Sequence, residues 1–257
     1  MSVIRPFRRT FRPIADGSQG NWSYILHPKF AQSPEHFVRA FILLQKDLDT
    51  LSNYVEPAED NLKCHSFRIH ELLLRACIEV EANCKAILLE NGYRKSDNLD
   101  MRDYKRINVS HHLSSYEINV PIWRGRGSLR KPFAAWANAG KLPWYDAYNQ
   151  TKHDRHTEFK LASFENMLDA IAGLTVLLSA QFWNHDFGPA SRLLSISGPD
   201  DGMESAIGDF FRIKFPTDWT SDERYQFDWN QIKDESDPFQ NFNFEAVVMP
   251  STPAQSA

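Results

Sequence analysis

The run PWYDAYNQTKHDRHTEF, residues 143–159, gathers Lys152, His153, Arg155 and His156 one turn after Tyr148 and Asn149. On a helix Asn149, Lys152, His153 and His156 stand at i, i+3, i+4 and i+7 and therefore share a face. Arg155 lies further round, but its long side chain can lean back. An imidazole takes or gives a proton near neutral pH. An asparagine beside it can orient the ring or hold a phosphate, and a lysine offsets phosphate charge. The group therefore suits proton transfer at a phosphate. The plain alternative is a solvated helix shoulder in which His153 donates to a carboxylate of another helix.

Other chemistries fit less well. No paired carboxylate flanks the group, which argues against glycosidase-like work. His153 and His156 lack a third His or a Cys at a matching short spacing, and the neighbouring cations oppose a metal, so neither a metal nor a cofactor is expected. No Walker loop, Rossmann glycine pattern, GxSxG or HExxH occurs.

The elements that must position these residues are mostly helical by pattern. Ser33-Pro34 opens a helix along which Phe37, Phe41, Leu44 and Leu48 recur at helical spacing, and Glu56-Pro57 ends it. In HSFRIHELLLRACIEVEANCKAILLENG, Leu72, Ala76, Val80 and Ile87 form a buried stripe that Leu73, Cys77 and Cys84 widen, with Gly92 as the stop. Arg75, Glu79 and Asn83 make a polar line on the same helix. Residues 98–140 are less legible: MRDYKRI suits a helical turn, WRGRGSLR an arginine-bearing loop, and KPFAAWANAG a short helix stopped by Gly140. Pro143 opens the helix carrying the cluster. Phe159, Phe164, Leu168, Ile171, Leu174, Leu178 and Phe182 then form a broad apolar face. The two segments make either one long helix or a pair broken near Asp154 to His156. Beyond Asn184 the texture changes to loop-like GPASRLLSISGPDDG, then strand-like FFRIKFP, YQFDWNQI and FNFEAVVMP, then a loose STPAQSA end.

Composition bounds the rest. Hydrophobic residues at 42% and charged residues at 24% describe a folded chain. From Ala190 onward there are 12 acidic and 5 basic residues, a local charge of -7 that leaves about +3 on the preceding 189. A strongly basic nucleic-acid coat is excluded, whereas a local basic pocket is not. Three cysteines, Cys64, Cys77 and Cys84, with no CxxC, read as reduced core thiols. The basic N-terminus lacks the apolar segment of a signal peptide, and AIAGLTVLLSAQFW is too short to span a bilayer, so a cytoplasmic protein without membrane contact is expected.

YNQTKHDR at 148–155, with Trp144 before it, a long apolar helix after it and HELLLRACIEVEANCKAIL at 70–88, resembles the HEPN superfamily over roughly residues 35–185. Those domains are helical bundles, often dimeric, and many are metal-independent ribonucleases of toxin–antitoxin, abortive-infection and CRISPR systems. Their signature is an arginine, often followed by a polar residue, then a histidine after a short gap. Asn149 matches the polar position and His153 the histidine, while Tyr148 stands where the family has arginine.

The resemblance implies His153 as the proton-transfer group, with Asn149, Lys152 and Arg155 as its catalytic companions. Tyr148, His156 and Arg75 would contact substrate, with Glu79 and Glu81 behind them. It also implies a 2',3'-cyclic phosphate product and a homodimer that supplies the second imidazole. Either Arg155 or Arg75 replaces the missing arginine, or the chain belongs to a branch that does not cleave RNA. The expected fold is all-α: a HEPN-like bundle of four to five principal helices over 33–189, an N-terminal arm over 1–32, and a short β-rich or irregular extension over 190–257. Two functions follow: a ribonuclease of bacterial defence or growth control, or a non-catalytic module binding nucleotide, RNA, an antitoxin or another protein partner. A helical scaffold whose polar cluster only makes interhelical bonds is a third reading.

Overall fold

A computed structural model of the chain describes residues 3–15, 22–187 and 202–249. The loop expected over 188–202 lies outside the described residues except for Gly202, and the loose end at 251–257 lies outside them altogether. Its helices in chain order are α1 (Pro34–Ser52), α2 (Phe67–Glu90), α3 (Met101–Tyr104), α4 (Ile107–His111), α5 (Pro143–His153), α6 (Arg155–Glu158), α7 (Phe164–Phe182) and α8 (Trp229–Ile232). Its strands are β1 (Glu117–Asn119), β2 (Leu129–Arg130), β3 (Glu204–Ser205) and β4 (Arg212–Lys214).

The architecture is mixed, which corrects the all-α expectation. Helix makes up 48% and strand 8%, but that small share is one connected four-stranded antiparallel sheet in the order β2-β1-β4-β3. The tail's strand-like FFRIKFP does form β4, with Phe211 and Ile213 buried by alternation. Its partner is β1, from the middle stretch that carries no strand signal of its own: Ile118 pairs with Ile213 and is fully buried. Three-residue strands are set by such long-range pairing, which a local pattern does not display. YQFDWNQI departs in the other direction, because Asp228 caps α8 by accepting from the Asn230 N–H. FNFEAVVMP forms no strand over its described residues, 242–249.

At the centre lies α7, with 16 of its 19 residues buried. It packs most extensively on α2, whose Leu72, Leu73, Ala76, Cys77, Val80, Cys84 and Ile87 are all buried. Ser66 caps α2 and Ser163 caps α7 through the N–H groups of Ile69 and Asn166. Ser33 does not cap α1: it sits in the left-handed region at φ 47° without a side-chain bond, and Pro34 alone marks the start. No helix among the described residues is long and apolar enough to cross a membrane.

The N-terminal segment is threaded into this core. The Phe11 N–H donates to the Ala180 carbonyl (2.8 Å), and the fully buried Arg9 pairs through Nε with Glu90 at 2.7 Å. Its remaining nitrogens donate to Gln181 Oε1 (2.9 Å) and the Gln32 carbonyl (2.7 Å), and its guanidinium lies 4.6 Å from the Phe37 ring centre. Tyr225 of the tail clasps the same segment, donating to the Thr10 carbonyl at 2.7 Å and accepting from the Phe7 N–H at 3.0 Å. A buried charge stripped of its partner is costly. Glu90→Ala therefore destabilises the protein by ~3–5 kcal/mol, read as a lower urea midpoint at unchanged slope.

Candidate functional site

Local packing fixes α5 first. Leu142 is buried, Pro143 occupies the first turn, and the Trp144 indole N–H donates to the Pro132 carbonyl at 2.9 Å. Trp144 packs on α7 at Gly173, where an added Cβ would come within 3.2 Å of the ring. With Trp144 anchored, Tyr145, Tyr148, Asn149 and Lys152 follow at helical spacing toward α2 and α3.

The helix stops at Asp154, whose backbone turns out at φ −137° and whose carboxylate accepts from the Thr157 N–H at 3.2 Å to start α6. The sequence had left open one long helix or a break, and the break is real. A second interruption at Ser163 separates α6 from α7. The i+7 relation between Asn149 and His156 is thereby lost.

The cluster consequently divides. Asn149 and Lys152 line an open groove of about 420 Å³ together with Glu81 of α2, Leu99, Asp100, Met101, Arg102 and Tyr104 around α3, and Tyr145. His153 is exposed and is not among the lining residues; neither is His156. Arg155 leans the other way, its guanidinium 5.7 Å from the ring centre of Phe67, where its charge also lowers the pKa of His70 after the larger effect of burial. Arg75 is tied at 2.5 Å to Asp47 of α1, and Glu79 stands near His36 and Arg75. Arg75 and Glu79 thus occupy the α1 flank of α2, and Glu81 the α5 flank. Neither arginine offered as a substitute for the residue at 148 reaches the groove.

Tyr148 is 1% exposed and is not among the groove-lining residues, so it belongs to the core and acts on the site through Lys152. That hydroxyl accepts from Lys152 Nζ at 3.0 Å, and the ammonium sits 5.0 Å from the ring centre. Burial raises the pKa of the phenol against the pull of the ammonium, and the bond to Tyr148 raises that of Lys152. Lys152 is therefore a firmly protonated cation. Tyr145 donates to Glu81 Oε1 at 2.8 Å; burial and this carboxylate both push its pKa upward.

The opposite wall is a capped turn. Asp100 accepts from the Arg102 N–H and guanidinium, while Asp103 accepts from the Asp100 N–H, Lys95 and the Tyr93 hydroxyl, each at 2.9 Å. Arg102 is thus paired with Asp100, whereas Glu81 accepts only from the uncharged Tyr145 hydroxyl and also raises the pKa of Lys152. Among the described residues no carboxylate is bonded to Lys152.

Among the described residues no three His, Cys, Asp or Glu side chains come together as a metal site. A second cavity, about 200 Å³, is lined chiefly by aromatic side chains including Phe11, Trp22, Trp183 and Trp219; its Arg12 is already committed to the Glu223 and Ser110 carbonyls. Tyr145 and the α3 wall escaped the sequence reading. Tyr145, Asn149 and Lys152 do stand at i, i+4 and i+7, a signal that was present; the contribution of α3 depends on the tertiary fold. No family model matches the chain, and comparison with curated proteins and with solved structures gives no match.

The groove wall has a pH signature. Burial pushes the Asp103 carboxyl up, but the Asp100 N–H, Lys95 and Tyr93 outweigh it and hold the pKa below the ordinary value. A carboxyl lowered in the folded state contributes fully above its unfolded pKa of about 3.9 and loses that contribution as pH falls through the folded value. Asp103→Asn therefore costs about 2 kcal/mol at neutral pH. The gap between variant and parent, followed by denaturant unfolding, narrows steadily below pH ~4.

Proposed function

We propose that the chain is a HEPN-like module that binds a phosphorylated nucleotide, free or at an RNA end, in the α2–α3–α5 groove without cleaving it. The observation that carries this reading is Lys152, oriented by Tyr148 and lining an open groove with no carboxylate bonded to it among the described residues, Glu81 acting on it only at a distance. A phosphate supplies the missing anion and makes a charge-assisted bond to Nζ. Asn149 lines the same groove and can donate its amide to the same group.

Cleavage through a 2'-hydroxyl needs proton transfer and a cation beside the same phosphate. His153 stands outside the groove lining, Tyr148 takes the position of the family's arginine, and Arg75 is held by Asp47. Binding without turnover is what this arrangement supports.

Calorimetric titration with ADP and with a 5'-phosphorylated oligoribonucleotide tests the reading. Lys152→Ala weakens both by about tenfold or more, whereas His153→Ala binds as the parent does. RNA incubated with the protein in excess EDTA remains intact. Equal affinity of Lys152→Ala and the parent, or cyclic-phosphate ends that vanish in His153→Ala, contradicts it.

A further inference from the structure

The second cavity, about 200 Å³, lies where the N-terminal segment, the end of α7 and the tail meet. An apolar cavity of roughly 150 Å³ already holds a benzene ring. Phe11, Trp22, Trp183 and Phe215 line this one and stay only half-buried, although each packs on another aromatic ring. Phe11 runs parallel to Trp183 at 5.9 Å between ring centres, and Phe215 stands edge-on to Phe11 at 5.6 Å. The area these rings leave uncovered suits a flat aromatic group.

The walls are held in place. Trp183 has φ 56°, in the left-handed region that a bulky residue rarely occupies, and its indole N–H donates to Glu204 at 3.2 Å. Strain of this kind gathers at ligand clamps. Trp219, in the part of the wall contributed by the tail, stacks on His112 at 3.9 Å. The ring nitrogens of His112 meet Asp218 at 3.0 Å and Glu223 at 2.9 Å, which fixes the chain on either side of Trp219.

Charge decides the rest of the ligand. Arg12, 3% exposed in the same lining, donates to the Glu223 and Ser110 carbonyls, and no carboxylate is bonded to it among the described residues. The Glu223 carboxylate accepts from His112 and Thr220 instead. Burial lowers the pKa of Arg12. Arg9, the other buried arginine of this segment, has Glu90, and a buried cation lacking such an anion is costly. Arg12 Nε and the buried Tyr24 hydroxyl, also of the lining, donate no hydrogen bond among the described residues. Both are donors, so an acceptor answers them. Arg224, half-buried, adds a second cation that has no ion pair among the described residues. Against the two arginines the described lining sets one carboxylate, the exposed Glu204.

We propose that this cavity binds a small aromatic carboxylate, its ring against Phe11, Trp183 and Phe215 and its carboxylate on the side of Arg12 and Arg224. The carboxylate supplies the anion that Arg12 lacks and matches the planar fork of Arg224. The cavity shares no lining residue with the α2–α3–α5 groove, so the inference is independent of what the groove binds.

Calorimetric titration of the full chain with three probes of one shape tests it: phenylacetate, neutral phenylacetamide and cationic phenethylamine. Phenylacetate saturates a single site with a Kd below about a millimolar, the amide binds about tenfold more weakly, and the amine does not bind. Arg224→Gln weakens phenylacetate about tenfold and leaves the amide unchanged. Glu204→Gln removes a like charge, keeps an acceptor for Trp183 and tightens phenylacetate about twofold or more. Neither side chain is buried, and an unchanged melting midpoint confirms that each variant is folded. Failure of phenylacetate to saturate a site overturns the proposal, as does tightest binding of the amine. Folded variants that both bind phenylacetate as the parent does overturn it equally.

Discussion

A guanidinium without access to water holds the fold's several layers in one arrangement. Arg9 is fully buried, and burial lowers its pKa against the opposing effect of Glu90. Its bonds run to the end of α2, to Gln181 of α7 and to the Gln32 carbonyl before α1, and Phe37 of α1 lies beneath it. Gln181 in turn donates to Asn83 of α2 at 3.0 Å. A charge so placed tolerates one geometry, since each displaced partner leaves an uncompensated buried group. This node joins α1, α2, α7 and the N-terminal segment, and Tyr225 extends the connection to the tail. The framework is therefore closed by both ends of the described chain.

From that framework the position of the site follows. α2 and α7 form the rigid pair, Trp144 seats α5 on α7 at Gly173, and Tyr145 fastens it to α2 through Glu81. The side chains of α5 beyond that point have little choice. Tyr148 must be inside, and its hydroxyl gives Lys152 a place to stand. Asp154, by satisfying the first N–H groups of α6, turns the chain away and carries His156 and Arg155 off the face that Asn149 began. The cation in the groove and the arginine over Phe67 are consequences of the same break.

The long amphipathic helices were legible because their apolar positions repeat: Leu72, Ala76, Val80 and Ile87 needed no tertiary information. Asp154 was legible only as one of two alternatives, since an Asp in KHDRHT can equally be a helix residue or a cap until its carboxylate meets Thr157. The sheet was half visible. Ile213 alternates with its neighbours, whereas Ile118 belongs to a three-residue strand that exists because β4 lies beside it. Arg9 gave no sign of its burial in a basic N-terminal run, where an arginine ordinarily faces water. Within the site, Lys152 and Asn149 were found by type and spacing; Tyr145 shares their face but carries no charge to draw notice. Arg102 and Tyr104 enter only through the placement of α3, and a helix face cannot announce what lies opposite it.

In the proposed function Lys152 in the groove, rather than the neighbouring imidazole, meets the phosphate. The most direct measurement is a nuclear magnetic resonance titration of the labelled protein with ADP, following the Lys152 ammonium, the Tyr145 and Tyr104 rings and the imidazoles of His153 and His156. Saturable shifts are expected at Lys152, Tyr145 and Tyr104, with the two imidazoles nearly unmoved. Shifts centred on His153 and His156, with the groove residues unchanged, would contradict it.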